Sequence, residues 1–390
     1  MRTSIALAFC VSGVLAQAPS LTDLIASQPD LSTLGTALGS VPDLAETLAG
    51  LSNITILAPT NSAFEALLAQ ADTPESIGVN SSDVQAIAAI LAYHVLNGTY
   101  VSSDFSETPT FVSSLFLPSF DGSIRTNVTD GQNVGLTLDG GNATILSGEL
   151  KSANVIEEDI LAANSVTVHK IDSVLTVPRN ASTTLSKIPD VELTAALGAL
   201  TAANLVDTID SVADLTIFVP SNAAFTTAAS AFANASIETL TSVLTYHAIT
   251  GAVVFSSDIT NTTVKTINGN DLTLSVGADG TVYVDNAKVI LPNIVLSNGV
   301  AHIIDTVLNP EDEVENPTPA ATPTPAFPGA TAIGTDVPFT SALGTSPTRT
   351  GTASSVPTST PSPSEFPGTA AQVKGALGGA VIGFGLAMML

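Results

Sequence analysis

A chain of 390 residues with a formal net charge of −25, ten Lys and Arg against 35 Asp and Glu, repels polyanions, which excludes nucleic acid and anionic lipid surfaces as partners. Its one cysteine, Cys10, falls in an apolar leader, so neither a disulfide nor a cysteine metal site is expected in the folded part. Cohesion must come from core burial, for which the length and the 45% hydrophobic content suffice.

Met1-Arg2, the apolar run Ile5 to Leu15 and the small-residue site Val14-Leu-Ala16 read as a secretory signal peptide over residues 1–16. From Ser20 to Gly50 the chain reads as two or three short helices, with a stripe of Leu31, Leu34, Leu38, Leu44 and Leu48 interrupted at Pro42. Ile54-Thr-Ile-Leu-Ala-Pro-Thr-Asn-Ser-Ala-Phe64 then reads as a buried strand stopped by Pro59. Thr60 and Asn61 follow as acceptors for the N–H groups of a helix start. A helix is predicted from Asp83 to His94, with Val84, Ile87, Leu91 and His94 on one face and Ser82 with Gln85 as a capping box. Alternating runs fill residues 100–175. Leu136-Thr-Leu138 and Ala143-Thr-Ile145 flank the turn Asp139-Gly-Gly141 as a hairpin, and Val155-Ile156 and Val166 to Ile171 supply closing strands.

The order then repeats. Leu215-Thr-Ile-Phe-Val-Pro-Ser-Asn-Ala-Ala-Phe225 restates the strand, proline and cap 161 residues later. Ile237, Leu240, Leu244 and His247 restate the helix face, and Leu272-Thr-Leu274 with Val282-Tyr-Val284 restate the hairpin through Asp279-Gly280. Pro178 and Pro310 close the two units, giving domains over 19–178 and 182–310. Helices first and strands afterwards predict an α+β fold in each.

Beyond Pro310 the composition turns to Thr, Ser, Pro and Ala, which predicts a disordered, glycosylated stalk over 311–368. The apolar, Gly-rich segment ending at Leu390 predicts a GPI-attachment propeptide over 369–390, with Gly368 as the attachment residue. N-glycosylation sequons fall at Asn53, Asn80, Asn97, Asn127, Asn142, Asn180, Asn234 and Asn261.

Four histidines recur in register: His94 with His247, and His169 with His302. A histidine with a carboxylate three residues on could orient a base, and two per domain could join a zinc site. However, residues three apart on a strand face opposite ways, so His169 and Asp172 do not converge. No third ligand, H-E-x-x-H, G-x-S-x-G or phosphate-binding Gly loop accompanies them. Packed, hydrogen-bonded histidines are the expectation.

The duplicated stretches Ile54–Phe64 and Leu215–Phe225 resemble the first signature of the fasciclin (FAS1) family. Tyr93-His-Val-Leu96 and Tyr246-His-Ala-Ile249 resemble the second, and Val168-His-Lys-Ile-Asp172 and Ala301-His-Ile-Ile-Asp305 the third. The resemblance, in a tandem arrangement of the fungal type, implies two β-wedge domains with packed helices and no cofactor. It implies adhesion to extracellular matrix or cell-wall components, or to proteins on facing cells, rather than catalysis. It also implies a secreted, cell-surface location, with a GPI anchor in the outer leaflet of the plasma membrane or a link to the cell wall. Contacts assigned in some animal members carry over by position to Tyr93, His94, Asp159 and Ile160 in domain one, and to Tyr246 and His247 in domain two. Asn293-Ile294 departs from the Asp-Ile pair. The alternatives are a structural wall glycoprotein without a specific ligand and, last, a hydrolytic enzyme.

Overall fold

The computed structural model describes residues 18–118, 126–233, 235–311, 326–327, 329–333 and 337–340. The leader, the propeptide with Gly368, the sequon at Asn234 and most of the expected stalk lie outside the described residues.

Domain one opens with three helices, α1 (Leu21–Ser27), α2 (Ser32–Gly39) and α3 (Pro42–Gly50). Leu31, Leu34, Leu38, Leu44 and Leu48 are all buried. Pro42 opens α3 at its first position, where the missing N–H has no intrahelical acceptor to lose. Strand β1 (Ile54–Pro59) is buried at every residue, and Thr60 caps α4 (Asn61–Leu68), its hydroxyl accepting from Ala63 N–H at 3.3 Å. Asn61, expected in the same cap, serves another helix. Its Oδ1 accepts from Thr33 N–H at 2.9 Å in the first turn of α2. Leu31 stands at the cap position of α2 and has no side-chain acceptor to offer, so a distant amide satisfies one of the orphaned donors.

Helices α5 (Pro74–Asn80) and α6 (Val84–Tyr93) follow. The cap of α6 is Asp83 rather than the expected Ser82, with the carboxylate accepting from Gln85 and Ala86 N–H groups. A carboxylate suits the positive end of a helix better than a hydroxyl, and Ser82 turns the chain at φ 53°. Val84, predicted on the buried face, is 49% exposed because it overhangs at the first position.

The strands β2 (Val95–Asn97), β3 (Thr110–Ser113), β4 (Asn133–Asp139), β5 (Asn142–Leu146), β6 (Ser152–Ala162) and β7 (Val166–Ile171) join β1 in the order β2-β1-β7-β6-β5-β4-β3. The neighbours β1 and β7 run parallel. The predicted hairpin is β4–β5, turned by Gly140 and Gly141 at φ 57° and 86°, the geometry a two-residue turn requires. One core cluster joins the leucines of the first helices to β1, β7 and α6; a second fills the wedge between Tyr93 and the hairpin.

Domain two repeats this plan. Its helices are α7 (Ala181–Leu185), α8 (Thr194–Ala202), α9 (Val206–Ser211), α10 (Asn222–Thr227), α11 (Ala229–Phe232) and α12 (Ile237–Tyr246). Its strands are β8 (Leu215–Pro220), β9 (Ala248–Ile249), β10 (Thr262–Lys265), β11 (Asp271–Val276), β12 (Val282–Val284), β13 (Ala287–Leu296) and β14 (Gly299–Ile304). Read from β9, the order β9-β8-β14-β13-β12-β11-β10 matches domain one strand for strand. Asn222 likewise caps α8 from a distance, accepting from Ala195 N–H at 2.9 Å. Ile237, like Val84, is exposed at its helix start.

The two domains lie within one compact unit. Thr129 donates its N–H and hydroxyl to the Asp214 carboxylate at 2.7 and 2.5 Å. Ser297 N–H donates to the Arg179 carbonyl at 2.7 Å, and the rings of Phe111 and Phe255 stack with centroids 3.9 Å apart. In the short connection, Arg179 also pairs with Glu75 and Glu149 of domain one.

Some residues of the segment expected as stalk pack on domain two. Phe339 lies 6.0 Å from Phe225 and 5.9 Å from Phe232, and Phe327 lies 5.3 Å from Phe232, ring centre to ring centre. Thr331 exchanges hydrogen bonds with Ser230. Two phenyl rings supply enough apolar area to dock a segment whose overall composition reads as solvated.

Candidate functional site

Tyr93 and Tyr246 end their helices, and His94 and His247 take the C-cap positions. In each domain the cap imidazole bridges the helix to the segment after the last strand. Nδ1–H donates to the Ile90 or Val243 carbonyl at 2.7 Å, and Nε2 accepts from the Leu175 or Leu308 N–H at 2.9 Å. Both nitrogens are therefore committed and the ring is neutral. Both rings are 2% exposed, and burial depresses the pKa of each to about 4 against the helix carbonyl that favours charge.

The second pair works the same way from the strands. His169 and His302 are wholly buried. Their Nε2–H groups donate to the Tyr100 and Val254 carbonyls at 2.9 Å, and their Nδ1 atoms accept from the Asp159 and Asn293 N–H groups at 3.3 Å. Burial also takes the His302 pKa down to about 4.

Asp159 and Asn293 sit where the β6–β7 and β13–β14 registers slip, at φ 55° and 65°. This left-handed bulge position favours Asn and Asp over other side chains. The Asp159 carboxylate accepts from the N–H of Ser102 at 2.9 Å and from its hydroxyl. Asn293 accepts from the Ser256 N–H at 2.8 Å and donates to the Ser256 hydroxyl at 2.7 Å. Partial burial opposes the charge on Asp159, but the two Ser102 donors outweigh it and hold the carboxyl below its usual range. An amide at 293 therefore does the work of the carboxylate at 159: each bulge residue ties down a loop.

Tyr93 is wholly buried, donating its hydroxyl to the Asn133 carbonyl at 2.9 Å, and burial pushes its pKa up. The buried Tyr246 hydroxyl lies 2.9 Å from the Asp271 carbonyl and 2.8 Å from Asp285 Oδ2. Ile160 is half-buried. Of the residues matching contact motifs, Tyr93, His94, Tyr246 and His247 are thus interior, and the Asp159 carboxylate is turned onto Ser102. Loop partners such as Ser102 and Ser256 carry no motif, and the only sequence signal is a serine upstream of each bulge residue.

Among the described residues no group of three or more His, Cys, Asp or Glu is placed to hold a metal ion. Asp172 bonds Asn154 rather than His169. Of the sequons, Asn53, Asn80, Asn97, Asn142 and Asn261 are exposed. Asn127 and Asn180 are half-buried, with Nδ2 donating to the Ser211 carbonyl at 2.7 Å and to Asp210 at 2.9 Å.

A family model of the Fasciclin domain matches residues 29–178 and 191–310. A fasciclin-like arabinogalactan protein of Arthroderma benhamiae is 32% identical over 320 residues, covering 82% of this chain and 73% of that protein. One from Phaeosphaeria nodorum is 31% identical over 304 residues, covering 75% and 89%. A solved FAS1 domain pair from the insect cell adhesion molecule fasciclin I matches at 18% identity with a TM-score of 0.34, covering 73% of this chain and 98% of that one. With the family model matched twice over more than half of its length and relatives above 30% identity along most of it, the chain belongs to the fasciclin (FAS1) family.

Proposed function

We propose that the protein is a secreted cell-surface glycoprotein, GPI-anchored to the outer leaflet or linked to the cell wall, whose tandem FAS1 domains adhere to matrix or wall components or to proteins on facing cells. The observation that carries this reading is family membership in two copies over most of the chain, shared with fungal fasciclin-like arabinogalactan proteins. The clasp between the domains supports it as well, since it couples two copies of the module, and many chains on one surface would convert weak contacts into avidity. Contact is assigned to the outer faces, because the histidine and tyrosine motifs are spent inside the domains. Catalysis has no part in this reading.

Two experiments test it. A phosphatidylinositol-specific phospholipase should release the protein from its cells; retention after treatment removes the anchor from the proposal. The purified full chain should bind wall polysaccharide or aggregate cells before and after enzymatic removal of N-glycans. A second reading, a structural wall glycoprotein without a specific ligand, is favoured by the inward placement of Tyr93, His94, Tyr246 and His247. Absence of both binding and aggregation would decide for it.

A further inference from the structure

The helical faces of the two domains carry corresponding grooves in different states. The distant caps match Thr33 with Ala195, which sets Thr36 of α2 against Gly198 of α8, and the repeated strand-and-cap stretches match Phe64 with Phe225. In domain two the groove is filled. Phe339 packs on Phe225 and Phe232, and its carbonyl lies so close to Gly198 that any Cβ there would overlap it. In domain one the groove is an open cavity of about 520 Å³ between α2 and α6. Phe64, Ile87 and Leu91 line it, Thr36 and Val84 border it beside several Ser and Thr hydroxyls, and among the described residues no charged side chain lines it.

From this contrast we propose that the domain-one groove is a binding site for a neutral aromatic small molecule, and that the chain's own Phe327 and Phe339 close the equivalent site in domain two. The volume falls within the range of ligand pockets, about 300–1,000 Å³. The twin groove shows that aromatic rings are what this face accommodates, and Phe64 offers an edge-to-face partner where Phe225 does so next door. The hydroxyls of Thr36 and Ser40 donate to the Ser32 and Ala37 carbonyls at 2.9 and 2.6 Å, and that of Ser32 accepts from Asn61 Nδ2 at 3.0 Å, so these three do not call for a charged guest. Thr36 also carries the Cβ that Gly198 lacks, which bars a peptide main chain from lying as Phe339 does and favours a ring without a peptide backbone. The site is independent of adhesion by the outer faces.

The test uses the full chain and N-phenyl-1-naphthylamine, an uncharged aromatic fluorophore. Saturable fluorescence enhancement with one site per chain is expected. Thr36→Trp, at an exposed position, should weaken binding at least tenfold with unchanged circular dichroism. If that variant misfolds, Val84→Asp on the exposed border gives the same readout. The double variant Phe327→Ala/Phe339→Ala should raise the stoichiometry from one to two, and Gly198→Ala, which displaces the same carbonyl, is a second route to that form. Three results would overturn the proposal: no saturable binding by the parent chain, unchanged affinity in the filled or charged groove, or a single site once the tail is released.

Discussion

Domain one and domain two solve the same packing problem with different side chains, and the differences separate what the fold requires from what each copy adds. The histidine bridges, the distant asparagine caps and the parallel strand pair occur in both. The bulge residue changes from a carboxylate to an amide and the helical groove changes from open to filled, while the sheet order stays fixed. Hydrogen-bond capacity at the bulge is therefore the requirement, and charge there is optional.

The largest test of this shared framework is acid. His94 in domain one and His247 and His302 in domain two have folded pKa values near 4, against about 6.5 in an unfolded chain. Between those values the unfolded state binds protons that the folded state refuses. Stability is thus complete above pH ~6.5 and falls as the pH drops toward ~4, by on the order of 3 kcal/mol per site. Denaturant midpoints measured across this window should decline steeply, and a flat profile would break the argument. The two copies should also respond alike to truncation. His94→Ala and His247→Ala each remove two buried hydrogen bonds and leave a cavity, and each should cost about 3 kcal/mol. Unequal losses in urea titrations would show that the bridges are not equivalent.

Phe339→Ala sharpens the contrast at the groove. It should lower the stability of domain two by about 2 kcal/mol and leave domain one unchanged, which hydrogen exchange resolved by domain would report. The smallest effect is expected at the bulge. Asp159→Asn installs the amide that domain two already uses and should shift stability by less than about 1 kcal/mol near neutral pH. Because the Asp159 pKa is depressed, its carboxylate stabilises above the ordinary Asp range near 4 and loses that contribution as the pH falls through the lower folded value. The amide variant should lack this acid-sensitive component, a difference readable in paired thermal melts below pH 4.

Local patterns carried much of this architecture. Ile54–Pro59 and Leu215–Pro220 announce buried strands by apolar continuity and a proline stop, and Gly140-Gly141 announces its hairpin because few other residues tolerate that turn. Features depending on distant partners were not readable. Nothing near Asn61 reveals that its amide is aimed at Thr33, and nothing near Asp159 reveals Ser102 across a loop. At Ser82 a stronger local acceptor, the neighbouring Asp83 carboxylate, took the cap. Tertiary contact overrode local signal at Phe327 and Phe339, whose partial burial is hidden by the Pro, Thr and Ala around them. The interior histidines were legible as core by their place on an apolar face, yet their bridging geometry required the segment near Leu175 and Leu308 to return to the helix end.

The borrowed caps also govern the order of events as the polypeptide emerges. The N–H of Thr33 waits for an acceptor 28 positions downstream, and that of Ala195 for one 27 positions downstream. Neither α2 nor α8 gains this cap until the strand and proline that follow have been synthesised and docked. Ser20 and Asn180 cap α1 and α7 from their own segments, so in each domain the delay falls on a single early helix, whose first turn keeps a solvated amide until its distant partner arrives.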